Sequence, residues 1–354
     1  MRIKVPSTRF LPWLPVLLSL CLTFPIEVQA QLPTNECGSK VAFTRYDGRA
    51  NIFLLDLNTR HISQLTQATE ETFLSAENPS WSPTGGRIVF SGQVNSAMDT
   101  AAANEDLFII DADGTNLDRL TDTEENERSP KWSPTENQVA FLSDKEGNWD
   151  IYIIDLNDMA ITNLTNHEGN DGVDGFTWSP DGTQIAFTSD RNQGQSNQGH
   201  LLLEQIFVVD VNSASNGEEA LLDLTASFDD YDNFYRDLAW SPDGEWLAFS
   251  SYAGDIFLLD IERLSYQKLL QSGTYNSYFG LSWSPDSAQI VFVSHPEGSS
   301  ETGRYDTELF TLDVREAMQG HTTPTQITAF DSPEAAVSSP VWQPCLLDSD
   351  NSSD

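Results

Sequence analysis

Beyond residue 30 a Trp-x-Pro triplet recurs six times, at Trp81, Trp132, Trp178, Trp240, Trp283 and Trp342, with Ser in the middle of the first five. In those five the ninth residue after Trp is Phe: Phe90, Phe141, Phe187, Phe249 and Phe292. Successive tryptophans stand 51, 46, 62, 43 and 59 residues apart. A period of this size with β-type content marks an array of supersecondary units that stack to share one core, and the propeller is such an array.

Each repeat carries signals for four short strands. The first runs into Trp-Ser-Pro, a turn such as Asp181-Gly182 or Asp243-Gly244 follows, and the second reads like Gln184 to Thr188. The third has the form Ile151 to Asp155, matched by Ile52 to Asp56, Leu107 to Asp111, Ile206 to Asp210, Ile256 to Asp260 and Leu309 to Asp313. A turn such as Ala112-Asp113-Gly114 opens a more polar fourth strand that ends at Leu-Thr, as at Leu65-Thr66, Leu120-Thr121, Leu164-Thr165 and Leu224-Thr225. The third strands are continuous apolar runs, the pattern of a strand covered on both faces. Blades stacked around an axis provide that cover.

The chain ends complete the count. Cys37 to Phe43 aligns with Asp181 to Phe187, so a second strand opens the array, and Val341-Trp342-Gln343-Pro344 supplies a first strand at its end. The expected fold is all-β, a six-bladed propeller of four-stranded blades, its ring closed by pairing of the N- and C-terminal strands in one shared blade. Closure of this kind removes exposed sheet edges. Cys37 and Cys345 both fall three residues after the Trp position of the shared blade, where the other five blades have a continuous turn. A Cys37–Cys345 disulfide is expected to replace the missing connection, since adjacent strands bring Cα atoms within disulfide range.

Residues 1–30 read as a secretory signal peptide, with Arg2, Lys4 and Arg9 before an apolar run from Phe10 to Phe24 and a small-residue cleavage site at Val28-Gln29-Ala30. The run is shorter than the roughly 20 residues of a spanning helix, and nothing else in the chain is apolar enough to span. The expected organisation is signal peptide 1–30, propeller 31–346 and an acidic, disordered tail 347–354, in a periplasmic or secreted protein. Two cysteines then remain in a compartment where disulfides persist.

The Trp-Ser-Pro-Asp-Gly turn, the Ile-Ala-Phe after it, the strand ends Ser143-Asp144-Lys145 and Ser189-Asp190-Arg191, and the strand Asp150 to Asp155 resemble the WD40-like β-propeller repeats of the TolB C-terminal domain. Similar repeats occur in the propellers of some prolyl-oligopeptidase-type enzymes and in oligogalacturonate lyases. The resemblance covers essentially the whole mature chain and implies the fold; function has to come from a site.

Charge narrows the function. With 54 acidic residues against 18 Lys and Arg the chain carries −36 at pH 7, so no nucleic-acid partner is expected, because phosphate affinity needs a basic face. A serine hydrolase needs a Gly-x-Ser-x-Gly elbow on a further domain, and the sequence carries no such pattern. The five histidines, at 61, 167, 200, 295 and 321, share no repeat position, which argues against a His-built metal site of the lyase type. A glycosidase needs only two facing carboxylates, so a small glycosidase-like hydrolase using loop carboxylates is the alternative function.

Binding is the expected function, of a protein, peptide or sugar ligand by a monomeric scaffold module. The segments Phe228 to Asp237 and Tyr275 to Phe279 join blades and mix aromatics with acids and amides. The expected ligand-binding residues are Asp174, Tyr231, Tyr235, Arg236, Tyr278 and Phe279, near the axis on the face opposite the Ser-Pro-Asp-Gly turns. Asp229, Asp230 and Asp232 form the densest carboxylate cluster and are the candidate ligands for calcium, the one cofactor considered. No catalytic residue is assigned.

Overall fold

The computed structural model describes residues 38–69, 72–93, 104–191, 205–215, 221–226, 235–271, 279–296, 307–330 and 336–345. The strands are β1 (Lys40–Asp47), β2 (Arg49–Asp56), β3 (Ile62–Gln64), β4 (Ser75–Trp81), β5 (Arg87–Gln93), β6 (Glu105–Asp111), β7 (Asp118–Arg119), β8 (Glu127–Trp132), β9 (Gln138–Ser143), β10 (Asp150–Asp155), β11 (Ile161–Asn163) and β12 (Asp171–Trp178). They continue as β13 (Gln184–Ser189), β14 (Gln205–Asp210), β15 (Leu221–Asp223), β16 (Tyr235–Trp240), β17 (Trp246–Ser251), β18 (Ile256–Asp260), β19 (Ser265–Leu270), β20 (Phe279–Trp283), β21 (Gln289–Ser294), β22 (Glu308–Asp313), β23 (Thr325–Gln326) and β24 (Ala336–Trp342). They form six four-stranded antiparallel sheets: β24-β1-β2-β3 is blade 1, and β4–β7, β8–β11, β12–β15, β16–β19 and β20–β23 are blades 2 to 6.

Blade 1 closes the ring as the sequence predicts. Strand β24 pairs antiparallel with β1, Val41 opposite Trp342 and Arg45 opposite Val337, so the described chain enters and leaves through the same sheet.

The invariant Phe is explained by its neighbour across the sheet. In every blade it stands directly opposite an aromatic residue of the third strand: Phe43 with Phe53, Phe90 with Phe108, Phe141 with Tyr152, Phe187 with Phe207, Phe249 with Phe257 and Phe292 with Phe310. Ring centroids in these pairs are 5.2 to 6.0 Å apart, in the range where aromatic pairs add about 0.5–1.5 kcal/mol beyond area burial. The apolar side chains gather into six buried clusters, one at each interface between adjacent blades. That arrangement is why the third strands need apolar residues on both faces.

The polar repeat residues tie strands together. Ser82, Ser179, Ser241 and Ser284 accept from the first backbone N–H of the second strand at 2.9 to 3.0 Å, and three of them donate at 2.6 Å to Asp181, Asp243 and Asp286. The Thr of the Leu-Thr signal sits just past the fourth strand. Thr66, Thr121, Thr165, Thr225 and Thr328 accept at 2.9 to 3.2 Å from the third-strand N–H groups of Ile52, Leu107, Ile151, Ile206 and Leu309. Those donors lie within buried sheet, where an unmade hydrogen bond is costly.

The all-β architecture carries two five-residue helices. Short helices α1 (Val211–Ser215) and α2 (Val314–Met318) replace the turn between third and fourth strands in blades 4 and 6. Asp210 and Asp313 cap them, accepting from the N–H groups of Ser213 and Glu316 at 2.7 and 2.9 Å.

Candidate functional site in the axial channel

The first strands are innermost, and each carries the same irregularity. Pairing between first and second strands slips at one point in all six blades. There the residue three before Trp has positive φ: Asn78 at 54°, Ser129 at 53°, Gly175 at 158°, Asp237 at 55°, Gly280 at 64° and Ser339 at 49°. A bulge of this kind kinks a strand and re-aims the side chains beside it. The position is filled only by Asn, Ser, Gly and Asp, residues that tolerate or locally stabilise this backbone. At Gly175 a Cβ would stand 2.9 Å from the backbone nitrogens of both Asp237 and Leu238, so blade 5 could not approach a larger residue.

One residue before the bulge, four before Trp, successive blades present Glu77, Arg128, Asp174 and Arg236, followed by Phe279 and Ser338. Charge alternates from blade to blade over the first four. Arg128 lies over Trp149 with 3.9 Å from guanidinium carbon to ring centroid, and Arg236 over Tyr252 at 5.0 Å. The Tyr46 hydroxyl donates to Glu77 at 2.8 Å, and the Tyr252 hydroxyl to Asp174 at 3.4 Å. Burial and the Glu77 charge push the Tyr46 phenol up to about 12, so it remains a donor. Burial also raises Glu105, against the opposing pull of Arg128.

The residue just before Trp is Val341, Ser80, Lys131, Thr177, Ala239 and Ser282 in blades 1 to 6, and Val341, Ser80, Ala239 and Ser282 set their side chains against the following blade. Hydroxyls alternate with non-hydroxyl side chains, so the ring has an approximate threefold repeat. Bonding follows the same alternation. The indoles of Trp81, Trp178 and Trp283 donate to the carbonyls of Val341, Lys131 and Ala239 in the preceding blade, at 3.2, 3.0 and 3.0 Å. The Ser80 and Ser282 hydroxyl oxygens accept from the following blade's Trp132 and Trp342 N–H at 2.9 and 3.0 Å.

Lys131 breaks this pattern. Burial lowers its pKa, opposed by the charge of Asp237. Lys131 is on blade 3 and Asp237 on blade 5, which are not neighbours, yet the charge of each acts on the other. Burial raises the Asp237 carboxyl, opposed first by its Ser250 hydrogen bond at 2.6 Å and then by Arg236, whose Nε lies 3.6 Å away.

The expected binding residues separate into three groups. Asp174 and Arg236 meet at the channel mouth through Tyr252. Phe279 starts β20, half-buried against the cluster between blades 6 and 1. Tyr235 is a correction: it is 5% exposed, packed edge-on against Phe249 at 5.2 Å in the cluster between blades 4 and 5. As first residue of β16 it alternates into the blade interface, so its ring is core. Tyr231, Tyr278, Asp229, Asp230, Asp232 and Cys37 lie outside the described residues. Cys345 follows β24, with its Sγ 3.7 Å from where a Cβ on Gly38 would stand. Among the described residues no group of three His, Cys, Asp or Glu side chains could hold a metal ion, and no helix is long and apolar enough to cross a membrane.

Glu77, Arg128, Lys131, Asp237, Trp149 and Tyr252 were not anticipated. Stacking the six repeats on Trp and reading the fourth, third and first positions before it would have exposed the first four; Trp149 and Tyr252 sit in turns of unequal length that no such column contains.

The fold and channel define a six-bladed β-propeller of short WD40-like blades. The family described as the TolB beta propeller domain matches residues 34–149 and 124–223, and the chain belongs to it. It is 24% identical over 299 residues to dipeptidyl-peptidase 5 of Porphyromonas gingivalis, covering 73% of this chain and 43% of that protein. With the uncharacterized peptidase YuxL of Bacillus subtilis it shares 28% over 198 residues, 50% of this chain and 30% of the relative. The chain thus spans less than half the length of these curated relatives. The crystal structure of TolB from Acinetobacter baumannii superposes with a TM-score of 0.62 at 19% identity, over 88% of this chain and 68% of that one, which establishes likeness of fold.

Proposed function

We propose that this protein is a binding module of the periplasm or secreted space, taking a protein or peptide ligand at the loop end of its axial channel. The observation that carries the reading is the ring Glu77, Arg128, Asp174 and Arg236, in which charge alternates at one repeat position and both guanidiniums rest on aromatic planes. A peptide offers backbone dipoles and side chains of both signs, which such a ring matches in register; a uniformly charged polymer does not. Rigid Arg and aromatic side chains are also the types that dominate binding hot spots. Tyr231 and Tyr278 belong to the same proposed surface, and calcium at Asp229, Asp230 and Asp232 remains part of the proposal. The net charge of −36 favours basic partners through long-range steering. The peptidase names belong to relatives more than twice as long as the matched segment and hint at a hydrolase only by likeness; the glycosidase-like alternative rests on facing loop carboxylates.

The test uses a random peptide display library panned on the immobilised mature protein. Clones retained by the wild type should be lost on the double variant Asp174→Ala/Arg236→Ala, with unchanged circular dichroism. Clones held equally by both would remove the reading.

A further inference from the structure

We propose that the segment Gly172 to Gly175 in the first strand of blade 4 is a contact finger that sets ligand specificity, with Val173 taking one apolar side chain of the peptide held at the channel mouth. The inference rests on the loop-mouth reading and adds to it the residue type the ligand must carry.

Blade 4 departs from the register that the other five blades share. In those five, two first-strand residues stand against one second-strand residue at the bulge, as Ser129 and Pro130 stand against Phe141. In blade 4 the ladder passes from Asp171 opposite Ser189 to Phe176 opposite Phe187, so the four residues Gly172 to Gly175 stand against Thr188 alone. The first strand has gained two residues. The gain shows at the fifth position before Trp, which Ala76, Glu127, Tyr235 and Val337 fill in blades 2, 3, 5 and 1, all of them buried. Val173 fills it in blade 4 and is 37% exposed, while buried Asp171 has taken over the place opposite the second-strand serine.

Both ends of the insertion are pinned. Gly172, at φ 74°, has side-chain carbons of Ile151 and Leu142 in blade 3 at 3.1 Å from where a Cβ would stand, and by the same measure Gly175 has the Asp237 and Leu238 nitrogens of blade 5 at 2.9 Å. Val173 and Asp174 are therefore lifted off the ladder between two neighbouring blades. Asp174 shows where the finger reaches: its carboxylate accepts from the Tyr252 hydroxyl at 3.4 Å, and Arg236 lies over the Tyr252 ring. Tyr252 is 54% exposed, yet held at its hydroxyl and on one face. A single exposed apolar residue is ordinary. Here, though, the chain gives up ladder pairing and fixes two glycines, the residues with most backbone freedom to lose, and the result is a valine carried out of a core position. Bulges serve to re-aim side chains in this way beside binding sites. A polar residue would be solvated there without cost, so valine fits an apolar occupant, and its continuity with Asp174 makes that occupant a side chain of the peptide bound by the charged ring.

The experiment exposes the immobilised mature protein to two pools of synthetic hexapeptides, identical except for a fixed fourth residue, Leu in one and Ser in the other, with the remaining positions drawn from Lys, Glu, Gly and Ser. Wild type should retain the Leu pool about ten-fold over the Ser pool, the scale of one apolar side chain in a pocket. Val173→Thr keeps the branched shape and puts a hydroxyl in place of a methyl, so circular dichroism should be unchanged and the ratio should fall below about three. Asp174→Ala/Arg236→Ala should release both pools. Where the double variant does release them, equal retention of the two pools by wild type, or an unchanged ratio in Val173→Thr, overturns this inference and leaves the mouth reading standing. Retention of neither pool by wild type, or of both by the double variant, overturns the two together. Concentration-dependent self-association of wild type that Val173→Thr abolishes, read by sedimentation velocity, would assign Val173 to a second copy of the chain and overturn the inference as well.

Discussion

The Trp342 indole N–H donates to the Gly38 carbonyl at 2.6 Å, joining residues 304 apart in sequence, while Gln343 N–H donates to Lys40 O at 2.9 Å. Gly38 has φ of 68°, close to the 66°, 72° and 80° of Gly85, Gly182 and Gly244, the residues four after Trp in blades 2, 4 and 5. The broken turn of blade 1 therefore keeps the geometry of the unbroken ones.

That geometry places Cys345 beside Gly38 and makes Cys37 its proposed disulfide partner. Non-reducing peptide mapping of the mature protein should find the two joined. Replacing Cys37 and Cys345 by Ser should lower stability by up to about 5 kcal/mol, the chain-entropy limit for so long a loop, with the denaturant midpoint as the measure. Two alkylatable thiols in the oxidised native protein would disprove the pairing.

The bulge predicts a size rule at its left-handed positions. Ser129, at φ 53°, makes no side-chain hydrogen bond to a described residue, so Ser129→Gly should change stability little, whereas Ser129→Val should cost about 1–3 kcal/mol through backbone strain. Chemical denaturation of the two variants decides the matter, and a harmless valine would contradict the assigned backbone.

A buried acid predicts a pH dependence. Glu127 is opposite Ser143 in β9, as Asp171 is opposite Ser189 in β13; Asp171 has Arg191 at 2.7 Å, and among the described residues Glu127 has no ion-pair partner. Burial pushes Glu127 up from 4.5 to about 7, opposed by Thr123 and reinforced by Asp106 and Glu125. The folded pKa is raised, so this group's contribution is fully present below about 4.5 and is lost as pH rises to about 7, up to about 3 kcal/mol in all. Glu127→Gln should flatten that slope in urea melts taken across the window; an identical slope in wild type and variant would count against it.

The threonine after the fourth strand should be energetically expensive to change. Thr165 accepts from Ile151 N–H at 3.1 Å and donates to buried Asp150 at 3.2 Å. Thr165→Val keeps the shape and strands both groups, at a cost of about 1–3 kcal/mol. Thermal unfolding of Thr165→Val against the exposed control Thr115→Val measures it.

How much of this was legible in the sequence follows from what repeats. Trp, Phe and the Leu-Thr pair recur because they meet a repeated local demand: an indole packed in an interblade cluster, a cross-strand ring pair, a capped backbone N–H. Local demands leave periodic residues, so blade number, strand order and the shared closing blade could be read from spacing alone. The bulge was less visible, since its column of Asn, Ser, Gly, Asp, Gly and Ser shares a backbone conformation and no single side chain.

The channel could not be read in that way. Lys131 and Asp237 are 106 positions apart on non-neighbouring blades, and only the closed ring lets the charge of one act on the other. The same closure sends Tyr235 into a blade interface while its chain neighbour Arg236 lies over Tyr252 at the mouth, a division set by strand alternation at the bulge. Sequence by itself determined the repeat, because each blade solves its packing within about fifty residues. Tertiary structure alone decided which side chains share the axis, because that depends on how six separately specified blades are rotated against one another as the ring closes.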